Sequence, residues 1–322
     1  MRILIVQLGR FGDLILISPV FRLIKEKYKD AEITLFAGRK NYDALVGNPY
    51  INKIIKLDKS LKGILSTIYS IRKRRYDYWI DPRDHFSKES RIIAQLSRAH
   101  HKIGFNQPQL KKVFDIDLEP SPKNLHHTEI AINSLRVLGI NLCDTVPKPE
   151  LYFESGEVFG QTVNDIILGE PYILVNISAS GAHKMWDSIK WFNFLATANI
   201  SQKRIVLNFM ESERQLAQKI ISEFPHIELH NAKRIRDVML LVSKSELVVT
   251  PDTSIVHIAS AFNKPLFAFY SGLDNFYDKF RPTTEKFVAV RANHDDKGIG
   301  SIDALVAGKE FNAFCDMLCL SK

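Results

Sequence analysis

Cysteine is scarce in this 322-residue chain. Cys143, Cys315 and Cys319 are an odd count without framework spacing, which excludes a disulfide-stapled fold and points to free thiols in a reducing compartment. Glycine and proline are few, at 15 and 13, and no low-complexity tract interrupts the chain, so disordered and collagen-like classes are excluded. Long apolar runs are also missing. The first residues carry one basic side chain and a four-residue apolar run, "ILIV", so neither a signal peptide nor a membrane span is expected and the protein is expected to stay in the cytoplasm.

What is present is a globular composition, 45% apolar and 25% charged. The length exceeds what one hydrophobic core usually serves, so two domains with a cleft between them are expected. Net charge is +8, but residues 1–150 hold 26 Lys+Arg against 16 Asp+Glu, a balance of +10, leaving −2 for the rest. The first half therefore suits an anionic partner: nucleic acid, phospholipid head groups or a phosphorylated substrate. Nucleic acid is the poorest fit, because no aromatic-rich basic strand motif accompanies the charge.

Short apolar runs recur, each followed by a polar or glycine break and then a helical pattern: "ILIVQL" (3–8), "ITLFAG" (33–38), "KIIKL" (53–57) and "YWIDP" (78–82). The rhythm restarts with "YILVNIS" (172–178), "RIVLNF" (204–209), "IELH" (227–230), "ELVVT" (246–250) and "PLFAFYS" (265–271). Strands alternating with helices predict two doubly wound parallel sheets, one per domain. Two prolines and a glycine in "VPKPELYFESGE" (146–157) interrupt the rhythm, giving domains of 1–155 and 156–322, and the pattern from Ile302 onward predicts a terminal helix.

Three stretches carry chemistry. In "QLGRFGDLILISP" (7–19) a strand runs through Gly9 and Gly12 into a helix that opens on Asp13. A dinucleotide fingerprint needs a third glycine and an acid after the second strand, where Gly38, Arg39 and Lys40 stand instead. Asp13 could simply cap the helix, yet capping does not account for two preceding glycines, which strip side chains from the loop and let a ligand approach the acid. In "LVVTPDTSIVHIASAFNKP" (247–265) a strand delivers Asp252, Thr253 and Ser254 to a helix start, with His257 one turn on. Hydroxyls, free amides and an imidazole then gather at the carboxyl edge of a parallel sheet, where open α/β folds bind ligands. In "NISASGAHKMW" (176–186) small residues and Lys184 follow another strand, a combination suited to a diphosphate.

Phe11, Gly12 and Asp13 with Pro19 downstream, "SASGAHKMW", "TPDTSIVHIASAFNKP" and "YDYWIDPRDHFSKESRIIAQLSRAHHKIGF" (76–105) together resemble glycosyltransferase family 9, the bacterial lipopolysaccharide heptosyltransferases. The resemblance covers nearly the whole chain. Two positions depart from the family pattern: Ser254 replaces its usual glycine, and Met185 stands where many members have a basic residue.

The resemblance implies a GT-B fold of two Rossmann-like domains, acceptor in the first and nucleotide-sugar in the second, with the terminal helix returning toward the first. It implies inverting, metal-independent transfer of heptose from ADP-heptose to a phosphorylated glycolipid core acceptor. Asp13 matches the base, and Gly12, Arg83, His85 and Arg91 fall on the acceptor side. Lys184, Thr253 and Ser254 would hold the diphosphate with His257 beside them, Asp252 would orient the sugar or the loop, and Ser178 and Ser180 line the same loop. In "NFMESERQ" either Glu211 or Glu213 would approach the nucleoside. The alternatives are a member using another nucleotide-sugar and a non-catalytic nucleotide-sugar or glycan binder.

No carboxylate and histidine cluster has metal-ligand spacing: Asp115 and Asp117 sit in the alternating "VFDIDLE", and Cys315 and Cys319 lack visible partners. Lys53, Lys56, Lys59 and Lys62, every third residue, and the run Arg72, Lys73, Arg74 and Arg75 suit a phosphorylated lipid or the anionic inner membrane surface, so a peripheral membrane contact is expected.

Overall fold

The computed structural model describes residues 1–58, 60–198 and 203–320, apart from the side chains of Leu61 and Lys62. Lys59, and the side chain of Lys62, therefore lie outside what is described. Internal contacts divide the chain into two compact units, Met1–Gly156 with Asp278–Phe280, and Glu157–Tyr277 with Arg281–Lys322.

In the first unit β1 (Arg2–Gln7), β2 (Glu32–Gly38), β3 (Lys53–Leu57), β4 (Tyr76–Ile80), β5 (Ala99–Gly104) and β6 (Ile116–Asp117) form a parallel sheet ordered β3-β2-β1-β4-β5-β6. Between them run α1 (Phe11–Leu16), α2 (Pro19–Lys27), α3 (Leu61–Arg72) and α4 (Lys88–Leu96), and α5 (His127–Asn133) follows. The sequence pattern reads α1 and α2 as one helix. Pro19 divides them, because a proline without an N–H suits the first turn of a new helix and not the interior of an old one.

The second unit repeats the plan. Its strands β7 (Ile173–Asn176), β8 (Ile205–Phe209), β9 (Glu228–Asn231), β10 (Leu247–Pro251), β11 (Leu266–Tyr270) and β12 (Phe287–Arg291) are parallel in the order β12-β11-β10-β7-β8-β9. Its helices are α6 (Gln161–Leu168), α7 (Ser188–Thr197), α8 (Arg214–Glu223), α9 (Ile235–Lys244), α10 (Ser254–Ala261), α11 (Asp274–Phe280), whose last turn clusters with the first unit, and α12 (Ala304–Met317). Each sheet reverses direction at its first strand, β1 or β7, so each unit has a switch point flanked by the loops that the sequence singles out.

An aromatic core fills the second unit. Trp186 lies 4.3 Å from Phe269 and 5.2 Å from Trp191 between ring centroids, and Phe194 and Phe311 join them. The terminal helix contributes to it: Phe311, Phe314 and Cys315 of α12 are buried in this core. Gly308 permits the approach, since a Cβ there would stand 2.6 Å from Thr197 Cβ on α7.

Candidate functional site

In the first unit the chemistry gathers at the carboxyl ends of β1 and β4. Arg10 is the N-cap of α1 and Asp13 lies in its first turn, where an Asp13 carboxylate oxygen accepts the Arg10 N–H at 3.2 Å. The capping role is thus real, and it fixes the acid at the loop. A Cβ on Gly9 would stand 2.7 Å from the same carboxylate oxygen, so this glycine makes room for the acid itself.

Arg83, in the loop after β4, grips the buried Asp81 with two side-chain bonds of 2.8 and 2.7 Å. Burial alone would lower its pKa, but the Asp81 hydrogen bonds and charge outweigh it, with Asp13 adding, and raise it. The guanidinium is therefore a fixed cation in the field of Asp13. Asp84 is held down at about 2, first by its hydrogen bond with His85 at 3.2 Å and then by the charge of Lys279, whose Nζ is 3.4 Å away. Arg91, expected on the acceptor side, donates to the Lys111 carbonyl at 2.6 Å.

Two residues near this group were not singled out from sequence. His127 is buried at the start of α5, stacks on Phe280 at 5.7 Å, and has no partner for Nδ1. Burial pushes its pKa well down, against the pull of Asp13, so the imidazole is neutral. Gln7 ends β1 fully buried with both amide atoms unpaired, an unusual state for a buried polar group and one that a water or ligand would satisfy. The repeated His126-His127 pair at a helix start was the available signal for the first, whereas nothing in an apolar strand marks Gln7.

In the second unit the structure brings Lys184 against Asp252, the neighbour of Thr253. Lys184 Nζ is 2.5 Å from Asp252 Oδ2 and 3.3 Å from the Asp252 carbonyl, although the residues are 68 apart in sequence. Thr253 caps α10 by accepting the Ile255 N–H at 3.2 Å, and Ser254 is the first helical residue. His257 is buried on the same helix. The amino end of α10 thus lies beside a lysine, an arrangement that suits an anion.

The two glutamates part company. Glu213 is buried and accepts the Ser178 hydroxyl at 2.5 Å, while Ser178 accepts the Met210 N–H at 2.8 Å, so both hold the loop together. Glu211 is exposed, bound by Arg214 and Asn231, and lowered to about 2 by those bonds. Ser180 is exposed in the loop between β7 and α7.

Beneath this loop runs a buried ladder across four strands. His230 Nδ1 lies 2.8 Å from Asn208 Oδ1, Asn208 donates to Asn176 Oδ1 at 2.9 Å, and Asn176 donates to Thr250 Oγ1 at 3.0 Å. Thr250 Oγ1 is in turn 3.1 Å from Thr253 Oγ1, at the cap of α10. Asn208 has its amide nitrogen committed to Asn176, so its oxygen accepts and His230 carries the proton on Nδ1. Asn176 and Asn208 are register partners, and an asparagine at the end of each of two apolar strand runs was a signal readable from sequence.

Asp115 accepts from the Lys102 N–H and lies 3.0 Å from His101 Nδ1, and Asp117 accepts the Asn106 N–H, which ties the two acids to separate partners. Among the described residues no group of three or more His, Cys, Asp or Glu could hold a metal ion.

The model for glycosyltransferase family 9 (heptosyltransferase) matches residues 64–299. The chain is 24% identical over 310 residues to lipopolysaccharide heptosyltransferase 3 of Escherichia coli strain K12, covering 89% of this chain and 86% of that one. It is likewise 24% identical over 306 residues to the lipopolysaccharide core heptosyltransferase OpsX of Haemophilus influenzae, covering 88% and 85%. Among solved structures, a family 9 glycosyl transferase from Veillonella parvula superposes with a TM-score of 0.80 at 15% identity, covering 100% of this chain and 97% of that one. The Escherichia coli heptosyltransferase WaaC with ADP gives 0.77 at 15% identity, covering 98% and 100%.

Proposed function

Because the chain belongs to glycosyltransferase family 9 and has the two-domain α/β GT-B fold, we propose that this glycosyltransferase moves heptose from ADP-heptose to an inner-core acceptor of lipopolysaccharide or lipooligosaccharide. The carrying observation is the cluster of Lys184, Asp252 and Thr253 at the amino end of α10, which suits a nucleoside diphosphate. In this reading the second unit holds the donor and the first holds the acceptor.

Asp13 is the general base. As an acceptor hydroxyl attacks the anomeric carbon, the carboxylate takes its proton, the bond to the diphosphate oxygen breaks and ADP leaves with inversion. Lys184 and the α10 amides stabilise the charge growing on the departing diphosphate, the place where positive groups lower the barrier most. Arg83, fixed by Asp81, offers its exposed edge to an acceptor phosphate or carboxylate, with His85 beside it.

Among the described residues no helix is long and apolar enough to cross a membrane. The proposal places the protein at the cytoplasmic face of the inner membrane as a peripheral partner of its glycolipid acceptor. Incubation with ADP-heptose and truncated core acceptors tests the reaction: the acceptor should gain the mass of one heptose and ADP should appear. ADP-heptose binding without transfer to any core acceptor would instead make the chain a binder.

A further inference from the structure

Helix α3 presents its apolar side outward. Gly63, Thr67 and Ile71, at i, i+4 and i+8, are buried and form the stripe against the sheet, with Ile71 in the core beside Trp79. The bulkier apolar residues lie on the other side: Ile64, Leu65 and Tyr69 are 41%, 69% and 65% exposed. Leu65 and Tyr69 are one turn apart, so they form a contiguous patch. At the helix end stand Arg72, Lys73 and Arg75, all exposed, with Lys73 Nζ 5.8 Å from the Tyr69 ring. Arg74 is tied back to Glu32 at 3.2 Å. No acidic residue occurs between Asp58 and Asp77, whereas six basic ones do.

An exposed apolar patch next to concentrated charge marks an interface, and the charge decides what it meets. A second copy docked by a two-fold axis would bring the same cationic cluster to both sides of the contact and repel itself. An anionic bilayer answers both features, since lipid phosphates attract the cluster and the headgroup boundary accepts leucine and tyrosine.

We propose that the outer face of α3 is a membrane-docking surface, in which Leu65 and Tyr69 enter the headgroup boundary of an anionic bilayer and Arg72, Lys73 and Arg75 meet lipid phosphates. This deepens the peripheral contact proposed above and rests on that reading, but it is tested on lipid alone, so failure of the transfer assay and failure of docking are separate results.

The test is flotation of the full chain with vesicles of phosphatidylglycerol and phosphatidylcholine against phosphatidylcholine alone. The protein should float with the anionic vesicles and be released by salt. Leu65→Ser with Tyr69→Ser, and separately Arg72→Glu with Lys73→Glu, should each lower the partition coefficient by about tenfold or more. Unchanged circular dichroism and ADP affinity would certify that the variants fold. Equal binding to neutral vesicles, no binding to either, or variants that float like the parent would overturn the proposal. So would a dimer in sedimentation that the Leu65 and Tyr69 changes dissociate while vesicle binding persists, because the patch would then serve a second copy.

Discussion

Asn208→Ala cuts the buried ladder at its middle. The change strands the His230 Nδ1–H, which loses an acceptor at 2.8 Å, and Asn176 Oδ1, which loses a donor at 2.9 Å. Asn176, Asn208 and His230 are all at most 4% exposed, so water does not replace the lost partners without local opening. Each stranded group costs about 1–3 kcal/mol, giving about 2–6 kcal/mol for the second unit. A two-unit chain need not unfold in one step, so the measurement must report on one unit. Trp186 and Trp191 lie in the second unit's core and Trp79 in the first. A Trp79→Phe background therefore makes tryptophan fluorescence in urea a probe of the second unit. Asn176→Ala with Asn208→Ala should cost less than the sum of the two single changes, because the shared bond is lost only once. ADP affinity should also weaken about three- to tenfold, since the ladder ends on Thr250 and Thr253 at the α10 cap. A loss below about 0.5 kcal/mol for Asn208→Ala, or strict additivity in the pair, would show that the ladder does not support the donor loop.

Asp13→Asn should lower kcat by about 10²–10⁴ with ADP affinity unchanged, measured by transfer assay and calorimetry; near-parental turnover removes Asp13 from the base role. Gly9→Ala would set a Cβ 2.7 Å from the Asp13 carboxylate and push it aside. Turnover should fall about a hundredfold while thermal stability moves little, and unchanged kcat would mean that the acid's position is not critical. Lys184→Met should weaken ADP binding about 10–100-fold by calorimetry, the worth of a charge-assisted contact, and an unaltered Kd would refute the diphosphate assignment. Burial holds His230 at about 4, below the ordinary unfolded value near 6.5, so the folded state binds fewer protons across that window. Its contribution is complete above about 6.5 and is lost as pH falls toward 4, by about 3 kcal/mol, and His230→Gln should flatten this part of the second unit's stability profile.

The alternation of strands was legible because strands buried on both faces read as unbroken apolar runs, as β1, β2, β10 and β11 do. β5 escaped because its first four residues are exposed or half-buried, and β6 is a two-residue edge piece. The Asp13 loop and the Thr253 helix start were legible for a local reason: glycines, a cap and a strand end occupy one short stretch. Arg83 was legible as a loop residue after β4, but its fixation by Asp81 and the bond from Arg91 to the Lys111 carbonyl are contacts that no local pattern shows.

The sequence by itself determined two parallel α/β units, the acid that follows Gly12 and the helix start at Thr253, since each rests on periodicity or on neighbours within one turn. Only the tertiary structure decided that Gly9 accommodates Asp13, that Glu213 serves Ser178, that α12 packs Phe311 and Phe314 into the aromatic core, and that Lys279, 195 residues away, faces Asp84. The division has a physical cause. Backbone preference and burial are written locally along a chain, whereas hydrogen bonds and charge pairs at the ends of parallel strands join residues that the crossover helices hold tens to hundreds of positions apart.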